Sequence, residues 1–274
     1  MIEFCNCKIN LGLSVLDKRP DGYHNLETVF YPLNLCDVLE VMEGSNEQDK
    51  KVRIISEGLP IPGDQQNNLI AKAYHLLDLK FSLNPVTFHL IKKIPIGAGL
   101  GGGSSDGAYA LKLLNRLFKL NLSVEQLIDY AAKLGSDCPF FIENIPCFAS
   151  GRGEILSKIK LDLSSFCMVL IKPEVHVSTA DAFNKITSLG RKTSNSSLLE
   201  VIQMPIESWR ENLINDFEKS VFEIYPQIKE IKDKLYREGA IYSSMSGSGS
   251  AVFGIFRYSP GLANQFPGCS YFEV

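Results

Sequence analysis

Pro95-Ile96-Gly97-Ala98-Gly99-Leu100-Gly101-Gly102-Gly103-Ser104-Ser105-Asp106 is the stretch on which the fold reading turns. Five of the seven residues from Gly97 to Gly103 are glycine, and a helical pattern starts directly behind them. Ala108, Leu111, Leu114 and Phe118 share one face of the segment Ser104 to Phe118. Glycine lets a backbone approach a ligand closely and turn successive N–H groups toward it. The helix adds its unpaired first-turn N–H groups and the positive end of its dipole. Ser104 and Ser105 add hydroxyl donors. Together these make an anion site, and the usual anion is phosphate. A plain turn needs no such density of glycine, which costs backbone entropy. The better-known phosphate motifs do not fit. Gly97-x-Gly99-x-x-Gly102 has the letters of the dinucleotide fingerprint, but the acidic strand end required about 20 residues on falls in the capped helix after Ser123. No Walker lysine follows the glycines. No Val-Ala-Ile-Lys, His-Arg-Asp or Asp-Phe-Gly set marks a protein kinase.

Outward from the loop, strand and helix patterns come in runs. Ile2 to Leu16, Leu26 to Leu33, Asp37 to Met42, Val52 to Ser56 and Val86 to Ile91 read as strands, with a polar loop from Gly44 to Lys51. Lys18-Arg19-Pro20-Asp21-Gly22 is a turn. Asn68 to Leu79 has helical spacing, and Ser123 with Gln126 forms a capping box for a helix that Gly135 ends. Beyond residue 150, Phe166 to Ile171 reads as a buried strand, and helical patterns start at Ser178, Asn212 and Pro226. Ser246-Gly247-Ser248-Gly249-Ser250 leads into a strand from Ala251 to Phe256. This mixture predicts an α+β fold rather than a regularly alternating parallel sheet.

The 274 residues carry 28 Lys+Arg against 31 Asp+Glu, a formal net charge of −3, with 45% apolar and 22% charged residues. Such a chain is too apolar and too weakly charged to be mainly disordered. Lacking a basic excess, it is not expected to bind nucleic acid. No apolar run approaches the roughly 20 residues of a membrane span. At about 150 residues per domain, the length suits one large domain or two modest ones, and a change of texture near residue 150 puts the boundary between 1–155 and 156–274. Cys5, Cys7, Cys36, Cys138, Cys147, Cys167 and Cys269 are scattered and odd in number, without a Cys-x-x-Cys pair. That argues against a disulfide framework and against zinc. With no secretory pattern at the start, a reducing cytoplasm is the simplest compartment.

Several side chains stand out as carriers of chemistry. Lys8 and Asn10 share a face of the first strand; taken alone, Lys8 reads as a solvated edge-strand lysine. Asp137, in Gly135-Ser136-Asp137-Cys138-Pro139, reads as the N-cap of a short helix from Cys138. An aspartate so fixed near a lysine would suit acceptance of a hydroxyl proton. Tyr23-His24 follow the Asp21-Gly22 turn and suit stacking and hydrogen bonding to a planar ring. His75, His89 and His176 have no partner at metal spacing and read as structural.

Four pieces occur in order: Lys-x-Asn-Leu from Lys8, Arg-Pro-Asp-Gly-Tyr-His from Arg19, the Pro95 glycine loop, and the late Ser-Gly-Ser-Gly-Ser segment. Their combination resembles the GHMP small-molecule kinase superfamily over essentially the whole chain. The Asp-Gly-Tyr-His turn and the triple glycine match the branch that acts on cytidine diphosphate methylerythritol in the non-mevalonate isoprenoid route. The resemblance implies a two-domain α+β fold, with a ribosomal S5 domain 2-like N-terminal half and a ferredoxin-like C-terminal half. It implies that ATP lies along Pro95, Gly97, Gly99, Leu100, Gly101, Gly102, Gly103, Ser104 and Ser105, helped by Asn68, Leu69 and Lys92. Asp137 matches the catalytic base and Lys8 its partner lysine. Tyr23 and His24 match the cytosine-recognising pair, Asn10 a substrate contact, and Phe183 a ring on the cytosine's other side. Gly247 and Ser248 would close over the substrate. Mg²⁺ would travel with ATP, without an assigned protein ligand. The expected partner is a small molecule, with neither nucleic acid nor membrane, and monomer and homodimer both stay open.

Two alternatives accompany this reading. A sibling kinase for mevalonate, homoserine or a sugar would have no flat base for Tyr23-His24 to grip. A silent nucleotide or ligand sensor would not be expected to keep both Lys8 and Asp137. The chain departs from the usual pattern at Cys5-Asn6-Cys7, Gly107 and Tyr109.

Overall fold

The computed structural model of the chain describes residues 1–44, 51–64, 67–178, 182–183 and 197–274. They form two compact units, each built from separate stretches. Met1–Cys7, Asn34–Ile96 and Gly101–Ile145 make the first, and Lys8–Leu33, Gly97–Leu100 and Pro146–Val274 the second. The expected halves 1–155 and 156–274 are consecutive in sequence; the observed units are interleaved. The reason is that two long strands and the glycine run each pass from one unit into the other.

Those strands are β1 (Ile2–Lys18) and β2 (His24–Glu43), which pair with each other. The two segments read from the sequence as Leu26 to Leu33 and Asp37 to Met42 are thus one 20-residue strand. In the first unit, residues 38–43 of β2 run antiparallel to β4 (Val86–Lys92), and β3 (Val52–Gly58) runs parallel to β4. The loop expected from Gly44 to Lys51 lies mostly outside the described residues.

Helix α1 (Leu69–Phe81) is capped by Asn68, whose side chain accepts from the Ile70 N–H, and it buries Ile70, Ala73, Tyr74 and Leu77. Burial of Ile70 and Leu77 is worth about 1.5–3 kcal/mol each. Helix α2 (Gly102–Leu117) buries Ala108, Leu111 and Leu114 on the expected face. Its Gly107 has a packing reason: a Cβ there would fall 2.8 Å from the Leu69 Cβ. Tyr109 donates to Asn6 Oδ1 at 3.0 Å, so two of the departures in the sequence fit each other.

Helix α3 (Val124–Leu134) opens with the expected Ser123–Gln126 capping box. It stops at Gly135, but with φ 173°, an extended conformation that any residue adopts. The short α4 (Phe140–Glu143) begins two residues later than expected, with Pro139 rather than Asp137 in the cap position. Turn bonds from Cys138 N–H to the Gly135 carbonyl and from Phe141 N–H to the Cys138 carbonyl occupy the backbone there.

In the second unit, residues 28–30 of β2 pair with β5 (Cys147–Ser150), which pairs with β6 (Ile155–Lys158). A separate antiparallel sheet has the order β10-β7-β9-β8, from β7 (Cys167–Pro173), β8 (Tyr242–Met245), β9 (Val252–Phe256) and β10 (Cys269–Glu273). Helices α5 (Leu198–Ile202), α6 (Trp209–Asn212), α7 (Phe217–Ile224) and α8 (Pro226–Arg237) accompany it. Val221, Ile228, Ile231 and Leu235 of α7 and α8 share a core with Val169, Ile171 and Val252. The helix expected from Ser178 falls largely outside the described residues.

Candidate active site

The first unit presents the helix end behind the glycines. Gly101 occupies the N-cap of α2 at φ 69°, and no side chain caps this 16-residue helix. A first turn without an N-cap side chain over it is a place where backbone N–H groups can receive an anion. The Ser104 side chain hydrogen-bonds the buried Cys138 thiol, which burial pushes up to about 12. Asp137 is thus the sequence neighbour of a residue in contact with the first turn of α2. It is half-buried and stands in the turn before α4. Asn68 and Leu69 lie at the start of α1, where Asn68 Oδ1 is already used as a cap.

Lys92 differs from the sequence expectation of a nucleotide contact. It is 3% exposed and its ammonium is held between two carboxylates, Asp37 and Asp106. Burial alone would lower its pKa, but the two negative charges outweigh this and raise it. Asp106 is pushed up to about 7 by burial and by Asp37, with Lys92 opposing. Ser105 Oγ and Asp106 Oδ1 are buried without a hydrogen-bond partner among the described residues. Asp37 escaped sequence reading because its partners are 55 and more residues away.

The second unit holds the other part of the glycine run. Lys8 is only 3% exposed, which rules out the solvated edge lysine. Its ammonium donates to Asn10 Oδ1 at 2.6 Å and to the Gly99 carbonyl at 3.3 Å, and lies 4.7 Å from the Phe30 ring centroid. Asn10 in turn donates to Thr28 Oγ1 at 3.1 Å. Ser246 Oγ donates to the same Gly99 carbonyl at 2.8 Å, and Ala251 N–H to the Ala98 carbonyl at 3.1 Å. Gly99 has φ 76°, and a Cβ there would fall 2.8 Å from the Ser246 carbonyl carbon. Asn215 holds the Ser-Gly segment from its other side, donating to the Met245 and Gly247 carbonyls at 2.8 Å each. Gly247 and Ser248 therefore belong to a segment fixed at both ends. His176 packs against Gly97, a contact without a local sequence signal.

Tyr23 is 59% exposed with the Arg152 guanidinium over its ring at 5.2 Å. His24 and Phe183 stack on each other, with centroids 5.1 Å apart and planes at 16°. The structure brings these two together as the sequence reading grouped them, but with no gap. A base between them would need the rings about 7 Å apart, two carbon contacts of about 3.5 Å. No group of three His, Cys, Asp or Glu side chains able to hold a metal occurs among the described residues.

A two-unit α+β chain whose glycine run opens an uncapped helix, with a buried lysine bound to that run, has the architecture of a GHMP small-molecule kinase. Residues 68–145 match the GHMP kinases N terminal domain and residues 200–264 the GHMP kinases C terminal domain. A relative from Bacteroides thetaiotaomicron, a 4-diphosphocytidyl-2-C-methyl-D-erythritol kinase, is 56% identical over 256 residues, 93% of this chain and 92% of the relative. A solved 4-(cytidine 5'-diphospho)-2C-methyl-D-erythritol kinase superposes with TM-score 0.81 at 30% identity, covering 100% of this chain and 98% of the other. The Methanococcus jannaschii mevalonate kinase shares the fold at TM-score 0.72 and 15% identity, covering 100% and 97%. This chain belongs to the 4-diphosphocytidyl-2-C-methyl-D-erythritol kinase family.

Proposed function

We propose that the chain transfers the γ-phosphoryl group of ATP to the 2-hydroxyl of 4-(cytidine 5'-diphospho)-2-C-methyl-D-erythritol, a step toward isoprenoid precursors. The observation that carries this reading is the open N-terminus of α2, a 16-residue helix headed by Gly101 without a side-chain cap. Family membership supplies the acceptor. Phosphoryl transfer is chiefly a matter of positioning and electrostatics. The amides of residues 101–105 and the Ser104 and Ser105 hydroxyls receive the phosphate oxygens, and donors already aimed there stabilise charge as it builds. Asp137 accepts the proton of the attacking hydroxyl. Lys8, with its ammonium oriented by Asn10 and the Gly99 carbonyl, stabilises the developing alkoxide. Tyr23 and His24 grip the cytosine, with Phe183 moving off His24 to admit it. Asn10, Gly247 and Ser248 line the acceptor side. Asn68 and Leu69 hold the nucleotide at the start of α1.

A Mg²⁺ carried by the phosphates of ATP, keeping several of its waters, would supply the charge neutralisation the transfer needs. Such an ion neutralises phosphate charge. Seven cysteines without disulfides suit a reducing compartment, and we place the reaction in the cytoplasm; among the described residues no helix is long and apolar enough to cross a membrane.

Asp137→Asn tests the assignment of the base. The variant is expected to lose about 100-fold or more in kcat, the usual scale of general-base catalysis, while ATP binding measured by calorimetry persists. Near-full kcat would remove Asp137 from the chemistry.

A further inference from the structure

We propose that Asp37 and Asp106 are positioning residues for the nucleotide: acting through Lys92, they hold the start of α2 in the orientation in which its amides meet phosphate. The inference rests on the nucleotide reading above and gives Asp37 and Asp106 a part that the sequence reading did not assign them.

Asp37 is wholly buried on β2. Its Oδ1 accepts from the Lys93 N–H at 2.6 Å and the Ile94 N–H at 2.8 Å, and its Oδ2 accepts from the Lys92 ammonium. The same ammonium donates to Asp106 Oδ2 at 2.7 Å, in the second turn of α2. The end of β4, directly before the glycine run, is thereby tied to the helix directly after it. Packing completes the tie, since a Cβ on Gly102 would lie 2.8 Å from Ile94 Cγ2 and 3.1 Å from the Lys92 ammonium. The first turn of α2 rests on its own stem.

Stability does not account for this arrangement. Gathering two carboxylates and an ammonium out of water carries a desolvation penalty, and apolar residues of similar volume often serve stability as well or better. Asp106 Oδ1 also stays without a partner among the described residues. What the triad supplies, and apolar packing does not, is direction. Charge-assisted bonds from the one Lys92 ammonium to both carboxylates fix how α2 meets the strand. The glycines themselves supply no such constraint. A loop of this composition needs a rigid frame if phosphate is not to bear the cost of ordering it.

The test compares Asp106→Leu, Asp106→Asn and Asp37→Asn with the wild type. The leucine keeps the branched outline of the carboxylate and leaves Lys92 paired with Asp37, so no charge is stranded. The asparagine at 106 keeps an acceptor for Lys92. The readouts are Mg·ATP affinity by calorimetry, KM for each substrate, and the urea unfolding midpoint. Asp106→Leu is expected to weaken ATP binding and raise the ATP KM about tenfold or more, the scale of one charge-assisted hydrogen bond. The KM for the cytidine substrate should stay within about twofold, and Asp106→Asn should recover most of the ATP affinity. Asp37→Asn, which retains Oδ1 for the two backbone donors, should show the same one-sided loss and serves alone if the leucine variant does not fold. A folded Asp106→Leu protein with wild-type ATP affinity overturns the proposal. So does a loss shared equally by both substrates and tracking the unfolding midpoint. A wild-type chain that bound no ATP would overturn the nucleotide reading itself, and this inference with it.

Discussion

Replacing Gly99 with alanine presses on the point where the glycine run meets the Ser-Gly segment in the second unit. Gly99 sits at φ 76°, a left-handed conformation that costs an L-residue about 1–2 kcal/mol. The added methyl would lie 2.8 Å from the Ser246 carbonyl carbon and closer still to its oxygen. Carbon atoms rest at about 3.5–4.0 Å, so one backbone must yield by roughly 1 Å. Neither is free to do so without loss. The Gly99 carbonyl accepts from Lys8 and Ser246, and the next carbonyl along, that of Gly247, is held by Asn215. Yielding at Gly99 drags the Lys8 ammonium, while yielding at Ser246 drags the Ser-Gly segment with it. A misplacement of about 1 Å in a positioned site costs on the order of 100-fold in rate. The left-handed strain removes only about 1–2 kcal/mol from a stability of about 5–15 kcal/mol, so the variant should remain folded. Coupled ADP-release kinetics should then show kcat/KM about 100-fold down, with a modest fall in the urea midpoint. A folded Gly99→Ala enzyme within about threefold of wild-type kcat/KM would refute the reasoning.

His24→Ala is expected to raise the KM for the cytidine substrate and leave the ATP KM almost unchanged; an equal loss for both ligands would show that the base pocket is misassigned. Ser123→Ala removes the side-chain acceptor of the α3 capping box and should lower unfolding free energy by about 0.5–2 kcal/mol with kcat intact. An unmoved urea midpoint would show that the box contributes nothing.

Local signals in the chain were readable where one element carries its own chemistry. The Ser123–Gln126 box, the helical face of α2 and the glycine run each depend on residues within a few positions of one another. Signals shared across distance were not. Asp37 looks like one polar residue in a strand, and only the fold brings Lys92 and Asp106 to it. Lys8 and Asn10 were legible as a pair, but the burial of Lys8 against Phe30 and the Gly99 carbonyl needed the pairing of β1 with other parts of the second unit. The strand β2 seemed broken because Pro32 and Asn34 interrupt an apolar run; proline is tolerated in a strand where its missing N–H has no ladder partner. The capping box of Ser197 and Glu200 was available in the sequence and marks α5. The tail after Pro260 carried no periodicity long enough to reveal β10, a five-residue strand beside β7. The sequence reading grouped His24 and Phe183 through a shared ligand; their direct stacking on each other had no local signal, since 159 positions separate them.

The central claim is tested most directly by ADP release from Mg·ATP with 4-(cytidine 5'-diphospho)-2-C-methyl-D-erythritol as acceptor, run beside mevalonate, homoserine and galactose. The account predicts turnover with the cytidine substrate alone and a product phosphorylated at the 2-hydroxyl. Turnover with a different acceptor, or none at all from protein that binds ATP, would contradict it.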